Sequence, residues 1–229
     1  MHIPDGFIDP KISYGLMGAA VAVLSYCFSK VKAMVTELAP QEAFAAAGDK
    51  VKSFAGKSRR VFAEQKLYQM GMVASLVFAA QMFNFPVASG TSGHLIGGVL
   101  AAVLLGPFAG TIVVAVVLAV QMLFFADGGM LALGANIINM AFLGSLLCYY
   151  IYFGLKKYVW EWASIGIAAW CSVVIAALAT SFEIGLSGTY SLAAITSSML
   201  KVHIVIGIAE ALITIALVQV FRGMIRCEK

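Results

Sequence analysis

Charge is scarce in this chain: 11% of its 229 residues are charged, where soluble domains run about 25%. So few charges cannot cover an aqueous surface, which excludes a soluble globular domain. The formal net charge is only +4. The basic residues flank apolar runs instead of forming one patch, which excludes a nucleic-acid partner. Cysteines are few and scattered: Cys27, Cys148, Cys171 and Cys227 stand singly, with no CxxC spacing. Neither a disulfide framework nor a thiolate metal site is indicated, and Cys27 reads as a small core residue. No GxxxxGK[ST] loop is present, so the chain is not expected to bind or hydrolyse a nucleotide. It also lacks an HExxH helix or a nucleophile paired with a base, which argues against an intramembrane hydrolase and against an enzyme in general.

Apolar sequence is abundant. Hydrophobic residues make up 62% of the chain and the mean hydropathy is +0.95. They fall in runs of the length that crosses a bilayer as helix, about 20 residues. The runs predict spans over 10–30, 67–84, 93–106, 107–126, 132–155, 162–183 and 200–222. Read as one helix, 93–126 would be about 51 Å long at 1.5 Å per residue, against a hydrocarbon core of about 30 Å. Gly106-Pro107 in its middle is a helix stop followed by a helix start.

The basic residues test that split. With seven spans and the N-terminus outside, every Lys and Arg except Lys11 and Lys201 faces the cytoplasm. Merging 93–126 into one span spoils this asymmetry, because it moves Lys156, Lys157, Arg222, Arg226 and Lys229 outside. The positive-inside bias favours seven. The expected architecture is an all-α integral membrane protein, a bundle of seven transmembrane helices with an extracytoplasmic N-terminus and a cytoplasmic C-terminus. It forms one domain over 1–229 in the cell (inner) membrane. Segment 31–65 is its long cytoplasmic loop, read either as a solvated linker or as carrying a short interfacial helix.

The first ten residues, MHIPDGFIDP, have neither a basic start nor an apolar run, so no secretory signal is expected. Two prolines, a glycine and two aspartates describe a tight, ordered arm. Its second residue is histidine. The α-amine of Met1, the amide nitrogen of His2 and the imidazole Nδ1 of His2 can close a five-membered and a six-membered ring around one metal ion. Planar nitrogen ligation of that kind suits Ni(II) or Cu(II) and leaves one in-plane position open. Capture is expected to weaken as pH falls, because an amine with a pKa near 7.7–8.0 and an amide must both lose protons. The bland reading is a chance Met-His start. Against it stands NFPVASGTSGHLIGG (84–98), on the same side of the membrane, whose glycines allow non-helical backbone and which holds His94.

Three motifs, MHIPDGF at the start, FPVASGTSGHLIGG before the third span and DGGMLALGANIINM over 127–140, resemble the substrate-capture (S) component of energy-coupling-factor transporters for cobalt and nickel, the CbiM/NikM family. They occur in the family's order and the resemblance covers nearly the whole chain. It implies seven helices and a metal held by the Met1 amine, the His2 amide and imidazole, and the His94 imidazole. It also implies that Co2+ or Ni2+ is the transported substrate. The implied partners are two cytoplasmic ATPase subunits, a transmembrane coupling (T) component and a small accessory membrane protein. The departures are the long 31–65 segment and VAS where VPG is commoner after Phe85-Pro86.

Supporting roles follow from placement at the outer ends of the spans. Asp5, Asp127, Asn84 and Ser92 are candidates to orient the histidines, with Glu183, Thr91 and Asn136 as further options, and Asp5 ranks first because it belongs to the N-terminal motif. Gly71, Ser75 and Ala79 recur every four residues on the second span. They read either as packing inside the bundle or as a docking face for the coupling subunit. Glu210 lies near the middle of the last span, where a carboxylate is costly, and His203 reads as an interface anchor. An autonomous proton-coupled metal carrier or channel relaying through Glu210 and Glu183 is the alternative function.

Overall fold

A computed structural model describes residues 1–37, 48–86 and 92–227, with side chains described for 1–36, 63–83 and 93–221. After the N-terminal arm come α1 (Pro10–Glu37) and α2 (Gly48–Gln81). A short antiparallel pair follows, β1 (Asn84–Pro86) with β2 (Ser92–His94), in the register Asn84 to His94. Then come α3 (Gly98–Leu105), α4 (Pro107–Phe125), α5 (Leu133–Asn136), a π-helical stretch (Ile137–Leu147), α6 (Cys148–Leu155), α7 (Glu161–Leu186) and α8 (Leu192–Cys227).

The break between the third and fourth helices falls where the glycine–proline pair predicts. α3 stops at Leu105, Gly106 takes φ +88°, and Pro107 opens α4 in the position where a missing N–H costs nothing. The Lys66 ammonium of α2 donates to the Leu105 carbonyl at 2.6 Å, which satisfies an orphan acceptor at the C-terminus of α3.

Two expectations need correction. The segment 93–106 is helical only over Gly98–Leu105, about 12 Å at 1.5 Å per residue, with extended backbone ahead of it, so this helix alone is shorter than the hydrocarbon core. Its interior is buried among α2, the π stretch, α4 and α7. Within segment 31–65, residues 31–37 belong to α1 and 48–65 to α2, both helical, and 38–47 lie outside the described residues.

Five helical segments among the described residues are long and apolar enough to cross a membrane: Pro10–Thr36, Pro107–Phe125, Leu133–Leu155, Glu161–Leu186 and Leu192–Phe221. Their outer faces are apolar, unlike those of a water-soluble protein. Leu123, Phe124, Phe182, Val205, Ile208 and Leu212 point outward, while Gln81, Gln121, Asn139, Ser145, Thr180 and Glu210 are buried. Apolar side chains facing lipid cost nothing, whereas polar ones must find partners inside the protein. The chain is a multi-pass helical membrane protein.

Helix approach is tightest at small residues. A Cβ at Gly98, the first residue of α3, would sit 2.6 Å from the Gly144 carbonyl of the π stretch, so only glycine lets α3 enter there. That close entry places the preceding residues, 94–97, in the interior.

Candidate metal centre

The N-terminal arm is folded inward, and Met1, His2 and Ile3 are all buried. Two elements of 127–140 hold it. Asn136 brackets residue 3, accepting from the Ile3 N–H through Oδ1 at 2.9 Å and donating to the Ile3 carbonyl through Nδ2 at 3.3 Å. The Gly129 N–H donates to the same carbonyl at 2.9 Å. Asp5 accepts from the backbone N–H groups of Met130 and Leu131 at 3.0 and 2.9 Å, ahead of α5. Gly129 makes this possible, since a Cβ there would collide with the Asp5 carboxylate. The arm is therefore pinned on both sides of Ile3 and Pro4, and the DGG turn and Asn136 of the third motif are its socket.

His94 enters from the opposite direction, at the end of β2, and is fully buried. Its Nδ1 lies 2.7 Å from the Leu95 carbonyl. A carbonyl only accepts, so Nδ1 carries the proton and Nε2 presents a lone pair. That Nε2 is buried without a hydrogen-bond partner. The His2 and His94 rings stack with centroids 4.4 Å apart and 24° between planes. Neither ring nitrogen of His2 has a hydrogen-bond partner, although Asp127 Oδ1 approaches Nδ1 to 3.2 Å. Buried nitrogens left unpaired are costly, and two imidazoles in contact carry three of them.

Electrostatics favour neutral, electron-donating forms. Burial depresses the Met1 α-amine from 8.0 down to about 4, with the Asp127 charge opposing the shift only in part. His2 is lowered first by burial, against the pull of Asp127. Asp127 is held below the usual carboxylate range chiefly by His2, despite some desolvation. Burial thus pulls the amine below the range near 8 expected of it in solution.

The sequence candidates separate into those the fold gathers and those it does not. Met1, His2 and Asp127 form one group, and His94 joins it through the ring stack. Asp5, ranked first as a histidine partner, instead caps the 130–132 turn, because it lies beyond the bend of the arm. The Asn84 and Ser92 side chains, like Thr91, lie outside the described residues. Glu183 accepts from Asn139 Nδ2 at 2.7 Å, and the same amide group reaches Thr180 Oγ1 at 3.2 Å. Gly71, Ser75 and Ala79 all face outward on α2, while Val73 and Val77 of the same helix are buried. They are therefore not packed inside the bundle.

Three residues lie beside the centre that the sequence reading did not place there. His203 is no interface anchor: it is fully buried, its Nδ1 lies 2.7 Å from the Met199 carbonyl, and its Nε2 has no hydrogen-bond partner. Gln81 donates to the Ile96 carbonyl at 2.7 Å. Glu210 accepts from the N–H groups of Ile96 and Gly97 at 2.9 and 2.7 Å. The polar side chains of α8 at 203, 210 and 214, all buried on a helix whose other face is apolar and exposed, were the available signal. Among the described residues no three His, Cys, Asp or Glu side chains gather as a metal cluster. Any ion held here must take main-chain or α-amine nitrogens as well.

The terminal arm and the loop before α3 thus bring nitrogen donors together inside a membrane-spanning helical bundle. The chain belongs to the CbiM family, the cobalt uptake substrate-specific transmembrane region, whose model matches residues 2–226. It is 36% identical to a putative fused nickel transport protein NikMN of Archaeoglobus fulgidus, over 96% of this chain and 64% of that protein. It is 30% identical to the cobalt transport protein CbiM of Thermosipho melanesiensis, over 66% of each. The chain thus spans somewhat under two thirds of the length of the Archaeoglobus relative. Among solved structures it is similar to a truncated transition metal transporter, with TM-score 0.80 and 31% identity over 98% of this chain and 99% of that one.

Proposed function

We propose that this chain captures Co2+ or Ni2+ with high affinity as the substrate-binding subunit of an ATP-driven energy-coupling-factor transporter. The ion would be held by the Met1 amine, the His2 amide nitrogen and imidazole, and His94 Nε2. The observation that carries this reading is the pair of buried imidazoles, His2 and His94, stacked at 4.4 Å with His94 Nε2 and the His2 ring nitrogens lacking a hydrogen-bond partner. The depressed α-amine adds a third donor already free of its proton. In the face-to-face stack the in-plane lone pairs run side by side and do not converge. Chelation through Nδ1 would require that nitrogen to face the ion instead of Asp127 Oδ1, which lies 3.2 Å away.

The names of relatives support both metals: nickel for the Archaeoglobus protein and cobalt for the Thermosipho protein. Energy would come from two ATPase subunits through a transmembrane coupling component, with a small accessory membrane protein. The orientation consistent with the positive-inside bias puts the arm outside and the C-terminus in the cytoplasm of the cell membrane. The exposed Gly71, Ser75 and Ala79 form a face on which a coupling helix can approach closely. Leucine at Gly71 and Ala79 should abolish co-purification with the coupling component while leaving metal content intact. Assembly that persists with both leucines would remove that face from the interface.

The deciding experiment compares the purified chain with a version carrying one extra residue before Met1. The native chain should hold one Ni or Co per molecule, with a visible ligand-field band, and the extended chain none, since the added residue breaks the fused rings. Equal binding by both would overturn the amine chelate. Metal uptake by this chain alone into ATP-free vesicles, dissipated by an uncoupler, would instead establish an autonomous proton-coupled carrier.

A further inference from the structure

Glu210 sits on α8 among the most buried residues of the molecule, 2% exposed, in a helix whose neighbouring Ile208 and Leu212 face outward. A carboxylate taken that deep is costly unless its oxygens are satisfied. No Lys or Arg ion pair satisfies it among the described residues; its partners are two consecutive backbone N–H groups, Ile96 to Oε2 at 2.9 Å and Gly97 to Oε1 at 2.7 Å. These precede α3, whose positive N-terminal end also favours a negative group.

The identity of the first of these bonds matters. The Ile96 N–H and the Leu95 C=O belong to one planar peptide unit. Its N–H is bound by Glu210, and its C=O is bound by His94 Nδ1–H at 2.7 Å. One rigid plane thus stands between a buried carboxylate and a buried imidazole. The following peptide is fixed too, since Gln81 Nε2 donates to the Ile96 carbonyl at 2.7 Å. A carboxylate accepting from a peptide N–H enriches the carbonyl at the other end of that peptide in electron density. That carbonyl then pulls harder on Nδ1–H, which fixes the tautomer, locks the ring and makes Nε2 the better donor.

We propose that Glu210 is a positioning residue for the metal, acting on His94 through the Leu95–Ile96 peptide. The arrangement is a carboxylate–peptide–histidine relay that does the work of a carboxylate bonded directly to a metal-ligating histidine. This rests on His94 Nε2 being a metal ligand, as proposed above. It assigns to a helix more than a hundred residues away in sequence the task of setting the donor strength of the loop ligand. It also accounts for a mid-helix carboxylate without calling on proton relay.

The test uses the full chain in nanodiscs with Ni2+ as probe and Glu210→Gln as the main variant. Glutamine keeps the shape but offers one acceptor oxygen to two N–H donors. Nickel affinity should fall roughly ten- to a hundred-fold, the usual effect of losing an outer partner of a metal-bound histidine, and the ligand-field band should shift. Independently of metal, 15N-labelled histidine spectra of the metal-free chain should show His94 as a single Nδ1–H tautomer in the wild type and as a mixture in Glu210→Gln. An unchanged tautomer, or unaltered affinity and band, would overturn the relay. Weaker binding with an unchanged tautomer would mean that Glu210 only braces the fold. His94→Ala separates this from failure of the underlying reading: if it binds nickel as tightly as the wild type, His94 is no ligand at all.

Discussion

His2 and His94 meet in one stack, yet the molecule holds them in contrasting ways. His2 rides on a chain end, and what fixes it is the bracketing of Ile3 by Asn136 and the Gly129 N–H. Its own ring keeps both nitrogens without hydrogen bonds. His94 lies inside the chain, and its ring is tied by Nδ1 to the Leu95 carbonyl, within a turn held by Glu210 and Gln81. One histidine thus has an anchored backbone and a ring held by stacking and by Asp127; the other has its ring hydrogen-bonded to the neighbouring backbone.

The comparison can be broken most severely at the arm. An added residue before Met1 should abolish binding outright, whereas no comparable lengthening exists for His94. Next in size is Asn136→Ala, which leaves the buried Ile3 N–H unpaired. The loss of about 1–3 kcal/mol for such a group should appear as a lower unfolding temperature and a faster nickel off-rate. The His94 tautomer should stay unchanged, and a changed one would show that the two halves of the centre are not independently held.

A third comparison is in pH. Between the amine's ordinary 8.0 and its folded value of about 4, the unfolded chain carries a proton that the folded chain does not. Stability of the metal-free protein should therefore rise with pH across that window and be lost as pH falls through it. N-terminal acetylation should flatten this dependence in thermal unfolding curves at pH 5 to 8. For the same reason, nickel binding near pH 7 should release about one proton, from the His2 amide, and not two. Release of two, measured with a pH indicator, would place the amine back near its solution pKa.

Much of the architecture was legible along the chain. Long apolar runs mark helices because a bilayer demands about 20 such residues, and Gly106-Pro107 marks the break between α3 and α4 because proline starts helices well. The MHIPDGF arm and the glycine-rich approach to His94 were legible as a centre, since both carry nitrogen donors on backbone that cannot be regular helix. The extent of α3 was not. Hydropathy counts apolar residues and cannot distinguish an eight-residue helix preceded by extended backbone from a helix over the whole run, because both are equally apolar.

What the sequence by itself determined is the solvent of this protein, the approximate positions of its helices and the two histidines, His2 and His94, that the fold brings together. These follow from composition and from residues adjacent in the chain. Only the tertiary structure decided that Asp127 and not Asp5 lies against His2, that His203 is buried, and that Glu210 grips the peptide beside His94. Such contacts join residues 114 and 133 positions apart. Residues on helices that far apart meet only through the way the bundle packs, and no local pattern of spacing or propensity encodes that meeting.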